Sequence, residues 1–494
     1  MQPPTPARSI RRRRVALTLA ASVLVLSACG VQAGDKAASV RKANPNVAVG
    51  GATSTTTSEA TTTTTLPATD LDIQGSDGSK LNDVIGSAIE DLQDYWKTAF
   101  PKAYDGAAYE PLSGGLYAID SSQDGTDIPC SSSADVTELM DNAFYCPPSD
   151  AVVWDQERFM PQLAKEFGTF TVAIVIAHEW GHVIQERAQF EQPSVITELQ
   201  ADCFAGSWAK HVAAGDSSRF EATNDDVDEA LAGVLALRDA PGGTADDPMA
   251  HGSGFDRVGA FEDGFDEGVT RCAQYRNGDP TPYQFPFTDQ ADYESGGDMK
   301  LSGTQDDPGI EDLTFPSLDA YWTKTFPAIS GGKEWDPLGD PIAYSSGDEP
   351  DCGGQKVTGY LLFVCIPDRY VGFEQDETMQ SAYEQDGDFA VAALFATQYG
   401  LDVVDQLGSA DDEVSATLQG DCFAGAWASA LLPPDPPEDY QLVLSPGDLD
   451  EGVKVLLTFR SDEDRKRQGP GFARVAAFRK GVIRGPEACK SIKR

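Results

Sequence analysis

The pentapeptide His178-Glu179-Trp180-Gly181-His182 constrains this chain more than any other stretch. On a helix its two histidines stand one turn apart on one face. Both imidazoles then reach one ion, and Glu179 projects beside them as a general base rather than a ligand. Two histidines buried on an apolar helix are the plainer alternative. Gly181 lowers helix propensity by ~1 kcal/mol against alanine. Its presence here predicts close approach of another backbone, with the helix that follows as the candidate.

Sixteen residues after His182 comes Glu198-Leu199-Gln200-Ala201-Asp202-Cys203. The run 196–212 reads as a helix, in which Glu198 and Asp202 share a face. A catalytic zinc takes three protein ligands and keeps one position open. His178, His182 and Glu198 meet that need with one ion per chain. Asp202 is placed to accept the second ring N–H of a ligating histidine. Gln185, on the same face as His182, reads either as a substrate contact or as a capping or core contact.

Residues 1–29 read as a bacterial lipoprotein signal. Arg11 to Arg14 form a basic start, 15–26 a short apolar core, and Leu26-Ser27-Ala28-Cys29 a lipobox. Cleavage before Cys29 and lipid on its thiol would anchor the chain on the outer face of a bacterial cell membrane. An ordinary secretory cut after Ala28 is the alternative. Residues 30–69 are a Ser/Thr-rich spacer without apolar periodicity. The remainder divides into domains at 70–290 and 300–494. A formal net charge of -42 argues against nucleic acid as a partner.

The chain contains related stretches. Asp94 to Pro101 returns as Ala320 to Pro327, and Gln200 to Gly206 returns 219 positions later as Gln419 to Gly425. The same offset sets Thr397, Gln398, Leu401 and Thr417 against His178, Glu179, His182 and Glu198. The expectation is a tandem duplication whose second copy has lost its metal ligands and base. His251 falls against Gln468 and Arg257 against Arg474. His251 therefore reads either as a donor to the oxyanion of peptide hydrolysis or as a surface loop histidine, and Arg257 as structural. His211 reads as a surface residue.

Nine cysteines are present. With Cys29 assigned to lipid, the duplication predicts four disulfides: Cys130–Cys146, Cys203–Cys272, Cys352–Cys365 and Cys422–Cys489. A thiolate ligand at Cys203 is disfavoured, because Cys422 persists where the ligands do not.

HEWGHVIQ, ELQADCFAGSW, AFYCPPSDAVVWD and HGSGFDRVGAFEDGF, in the span 95–272, resemble the bacterial neutral zinc metallopeptidases. The resemblance implies an α+β, zincin-like fold, helix-rich with a small sheet. It also implies the ligands His178, His182 and Glu198 with Glu179 as base. The expected activity is metalloendopeptidase hydrolysis of peptide or protein substrates. The competing expectation is a binding or scaffold lipoprotein of the cell envelope with a structural or vestigial zinc site. In either case the second copy is free to contact the first.

Helix signals cover 81–100, 170–187, 196–212 and 225–238, the last from an Asn/Asp cap. Strand signals cover 115–119, 151–154 and 360–366. A sheet edge near the histidines would suit an extended peptide.

Overall fold

The computed structural model describes residues 71–493 except 244–249, 288 and 435. The signal segment, Cys29 and the spacer lie outside the described residues. The structure is helix-rich with small sheets.

The first half opens with β1 (Ile73–Gln74) and α1 (Lys80–Ala103). Ser79 caps α1, accepting the Asn82 N–H. Ile85, Ile89, Leu92, Trp96 and Phe100 form its buried stripe at helical spacing. Strands β2 (Gly115–Ile119), β3 (Ala143–Cys146) and β4 (Ala151–Asp155) follow. The sheet order is β1-β2-β4-β3, with β3 antiparallel to β4 on one edge. No strand was predicted at β3, whose four residues are too few for a clear alternation.

The helix α2 (Phe159–Ala188) is longer than its predicted span, because a first segment precedes a break at Gly168. Gly168 adopts φ 80°, a left-handed value suited to glycine. From Phe170 to Ala177 the helix is largely apolar and buried. By length and composition α2 could cross a membrane, yet most of that stretch is packed inside the protein.

Next come α3 (Ser194–Ala213), α4 (Asn224–Ala236), α5 (Gly254–Glu267) and α6 (Val269–Ala273). The α4 cap is Thr223, one residue ahead of the predicted Asn/Asp cap, and it forms a capping box with Asp226. A Cβ added at Gly181 of α2 would stand 2.7 Å from the Ala201 Cα of α3, so these two backbones touch where the sequence placed a glycine. The helix α5 carries no sequence signal. Gly254, Gly259 and Gly264 weaken its propensity, and tertiary contact decides: Gly264 leaves room for the Cys203 carbonyl of α3.

The second half contains α7 (Gln290–Ser295), α8 (Ile310–Ile329), β5 (Ile342–Tyr344), β6 (Asp351–Cys352), β7 (Gln355–Lys356), β8 (Leu362–Cys365) and β9 (Tyr370–Glu374). It ends with α9 (Gln380–Asp386), α10 (Asp388–Leu407), α11 (Glu413–Ser429), α12 (Asp448–Thr458), α13 (Asp462–Gln468) and α14 (Gly471–Arg484). Disulfides join Cys130 to Cys146, Cys203 to Cys272, Cys352 to Cys365 and Cys422 to Cys489.

Both halves contribute to one continuous apolar core. They also exchange helix caps. Asp228 of α4 accepts the N–H groups of Gly471 and Phe472 at the start of α14, at 2.7 and 2.8 Å. Asp450 of α12 accepts those of Gly254 and Phe255 at the start of α5, at 3.0 and 2.7 Å. Arg460 pairs with Asp228 and Arg238 with Asp450. Each half thereby holds a helix N-terminus of the other.

Candidate metal centre

The helix contact at Gly181 brings α2 and α3 close enough for their side chains to converge. Glu198 Oε2 lies 3.1 Å from His178 Nε2, and Glu198 Oε1 lies 3.6 Å from His182 Nε2. One donor atom from each of the three residues lies within 4.8 Å of the other two. Ligands at 2.0–2.2 Å from a tetrahedral ion stand about 3.3–3.5 Å apart. The two measured separations bracket that value, and the donor set of two imidazoles and a carboxylate is one that zinc accepts.

The outer ring nitrogens are anchored. Asp202 Oδ1 lies 2.7 Å from His178 Nδ1. A carboxylate only accepts, so Nδ1 carries the proton and Nε2 faces Glu198. Gln185 Oε1 lies 2.8 Å from His182 Nδ1, and Gln185 Nε2 donates to the Thr197 carbonyl at 2.6 Å. Gln185 therefore orients His182 the same way, and it also lines the cleft. Asp202 is itself gripped by Arg257, whose Nε and Nη2 donate at 2.8 and 2.9 Å. Arg257 reaches the metal centre through Asp202.

The electrostatics of the ion-free site follow from these contacts. Burial opposes charge on His178, but the Asp202 carboxylate overrides it and Glu198 adds to it, raising the imidazole to about 10. Burial pushes Asp202 up, while Arg257 and then His178 pull it below its ordinary value. Asp421, the residue 219 positions on, is held by Arg474 at 2.8 and 2.8 Å, yet burial keeps it raised. No imidazole is among the groups that act on Asp421, and Thr397, 219 positions after His178, donates its hydroxyl to the Leu394 carbonyl.

Glu179 is buried, which raises its carboxyl. Its Oε2 accepts the Tyr145 N–H of the edge strand β3 at 3.0 Å. A cleft of about 920 Å³ opens over these groups, lined by Ala143, Phe144 and Tyr145 along with the three candidate ligands, Glu179 and His251.

The His251 side chain is 51% exposed in the wall of this cleft. Asp239 holds it: the His251 and Gly252 N–H groups donate to Oδ2 at 2.7 and 2.8 Å, and Nδ1 stands 3.3 Å from Oδ1. Sequence reasoning missed Asp239 because nothing in its spacing links it to His251. His211 is not a bare surface residue. Its ring packs on Tyr95 at 5.0 Å between centroids, away from the cleft. Cys203 is consumed by its disulfide and is no ligand.

Two histidines, a carboxylate and an adjacent buried glutamate in an open cleft are the donor set of a zinc hydrolase. Residues 48–275 match the family described as "Putative neutral zinc metallopeptidase". Similar curated proteins include the uncharacterized protein Rv2575 of Mycobacterium tuberculosis, 32% identical over 151 residues, covering 25% of this chain and 52% of the relative. The uncharacterized protein YpfJ of Escherichia coli K12 is 32% identical over 152 residues, covering 25% of this chain and 50% of the relative. The chain thus spans about half the length of the curated relatives it matches. No solved structure matches.

Proposed function

We propose that this chain is a membrane-anchored, extracytoplasmic zinc endopeptidase with a zincin-like first domain, residues 70–290. The observation that carries the reading is the convergence of His178, His182 and Glu198 beside Glu179 at the floor of a cleft. His178, His182 and Glu198 would hold the ion through Nε2, Nε2 and the carboxylate. Zinc in such a site supplies Lewis acidity to a water and to the scissile carbonyl. Glu179 takes the proton of the attacking water and passes it to the leaving amine. Asp202 and Gln185 keep both imidazoles in the ligating tautomer. A peptide substrate lies in the cleft against Ala143, Phe144 and Tyr145, with its scissile carbonyl near Glu179. His251, backed by Asp239, donates to the oxyanion as it develops.

The second half, residues 300–494, is a degenerate copy without hydrolytic chemistry. Support comes from the paired disulfides, the Asp421–Arg474 pair in the place of Asp202–Arg257, and Thr397, Gln398, Leu401 and Thr417 where the first half has its ligands and base. The signal-like segment with Cys29 and the four disulfides support an anchored location outside the cytoplasm.

The test is Glu179→Gln in the full chain, read by zinc content and by digestion of an unstructured protein such as casein. Zinc is retained and hydrolysis lost. A fully active variant rules out Glu179 as the base; a wild-type protein that binds zinc and cleaves nothing returns the chain to the scaffold reading.

A further inference from the structure

We propose that the second half holds a calcium ion between Asp298, Asp388 and Glu451, with Asp448 alongside. This inference does not depend on the zinc reading. Asp298 lies in the segment before α8, Asp388 begins α10, and Glu451 and Asp448 occupy the first turn of α12. One carboxylate oxygen from each of Asp298, Asp388 and Glu451 lies within 4.8 Å of the other two. Oxygens bound to one calcium at 2.3–2.6 Å stand no more than about 5 Å apart. The set contains oxygen donors alone, which selects a hard cation rather than zinc.

The second observation is an orphaned oxygen. Asp388 is 3% exposed. Its Oδ2 accepts the Met299 N–H at 2.8 Å, while Oδ1 is buried with no hydrogen-bond partner. A buried carboxylate oxygen left bare is costly unless a cation or proton meets it. The Asp388 carboxylate sits beside those of Asp298 and Glu451 and interacts with that of Asp448. Backbone donors already occupy the neighbours from outside: Phe389 N–H on Glu451 Oε2 at 2.9 Å, and Ser445 N–H on Asp448 Oδ2 at 2.9 Å. The strongest influences on Asp388, Asp448 and Glu451 are burial, other carboxylates and backbone N–H groups, with no lysine or arginine among them. Thr169 lies 219 residues before Asp388, so the first half has no carboxylate at that offset.

An ion here would join three distant segments and brace α12, whose Asp450 caps α5 of the first half. The protein gains a calcium-dependent clamp beside the contact between its halves.

The test is calorimetric titration of the full chain with calcium chloride, together with thermal melting in about 10 mM calcium or magnesium. One calcium binds, and the melting temperature rises by about 3–5 °C for a site of ~0.1 mM affinity. Asp388→Asn abolishes both effects. Asp298→Asn, in a less buried segment, does the same should Asp388→Asn fold poorly. His178→Ala leaves them intact, which separates this ion from the zinc site. Absence of calcium heat and of a melting shift overturns the proposal, as does a shift that survives both carboxylate variants. An equal response to magnesium overturns the assignment to calcium.

Discussion

Asp202 and Asp421 offer an internally controlled experiment. Each carboxylate is buried and holds a buried guanidinium by two hydrogen bonds of 2.8–2.9 Å. Asp202 differs in also accepting the Nδ1 proton of His178 at 2.7 Å. Replacing either by asparagine leaves an arginine charge in the core, and breaking a buried pair costs about 3–5 kcal/mol. Asparagine keeps one acceptor, so about 3 kcal/mol is expected for each variant, and urea denaturation of the metal-free proteins should show similar losses. Zinc affinity should separate them. Loss of the carboxylate behind a ligating histidine weakens metal binding by about 10–100-fold, or about 1.4–2.7 kcal/mol. Asp202→Asn should show that loss in competition with a chromophoric chelator, while Asp421→Asn binds zinc like the parent. Equal zinc affinities in the two variants would refute the idea that Asp202 acts on the metal through His178.

Gln185→Ala frees the His182 ring and should weaken zinc binding about tenfold in the same chelator competition. His251→Phe should retain zinc and lower kcat about 100-fold on a peptide substrate; unchanged turnover would return His251 to a surface role. Gly181→Ala drives a Cβ against the Ala201 backbone and should destabilise the protein by about 1–3 kcal/mol in urea denaturation. In calcium-free buffer, burial and the neighbouring Asp298 carboxylate, against the Met299 and Phe389 N–H groups, raise Asp388 to about 7 from 3.8. The folded state then holds a proton that the unfolded chain has released. That stability is complete below about pH 4 and is lost as pH rises through 7. The melting temperature should therefore fall across this window, and Asp388→Asn should flatten the curve.

The candidate metal centre was legible because its chemistry is written at helical spacing. His178 and His182 fall one turn apart, Glu198 and Asp202 fall one turn apart, and Gly181 marks where the two helices touch. Several parts of the site beyond those two helices were not legible. Asp239 reaches His251 through a loop, and the partner of a loop residue has no fixed offset. The helix α5 is hidden by its own glycines, which lower propensity while permitting the contact with Cys203 that makes it form. Strand β3 is short, and its importance comes from being on the sheet edge, a property of topology rather than of its residues. The carboxylates at 298, 388 and 451 carry no pattern at all until the chain is folded.

The reciprocal capping by Asp228 and Asp450 has a consequence for any attempt to dissect the chain. Separated from its neighbour, the first half would present the Gly254 and Phe255 N–H groups of α5 without their acceptor and, elsewhere on its surface, an Asp228 with nothing to hold. Those two features are mutually complementary, and a patch that fits itself favours closed two-fold pairing. Two excised copies could restore in trans what the intact polypeptide achieves in cis. A fragment built from residues 71–290 is thus expected to be a homodimer, with each copy standing in for the missing half of the other.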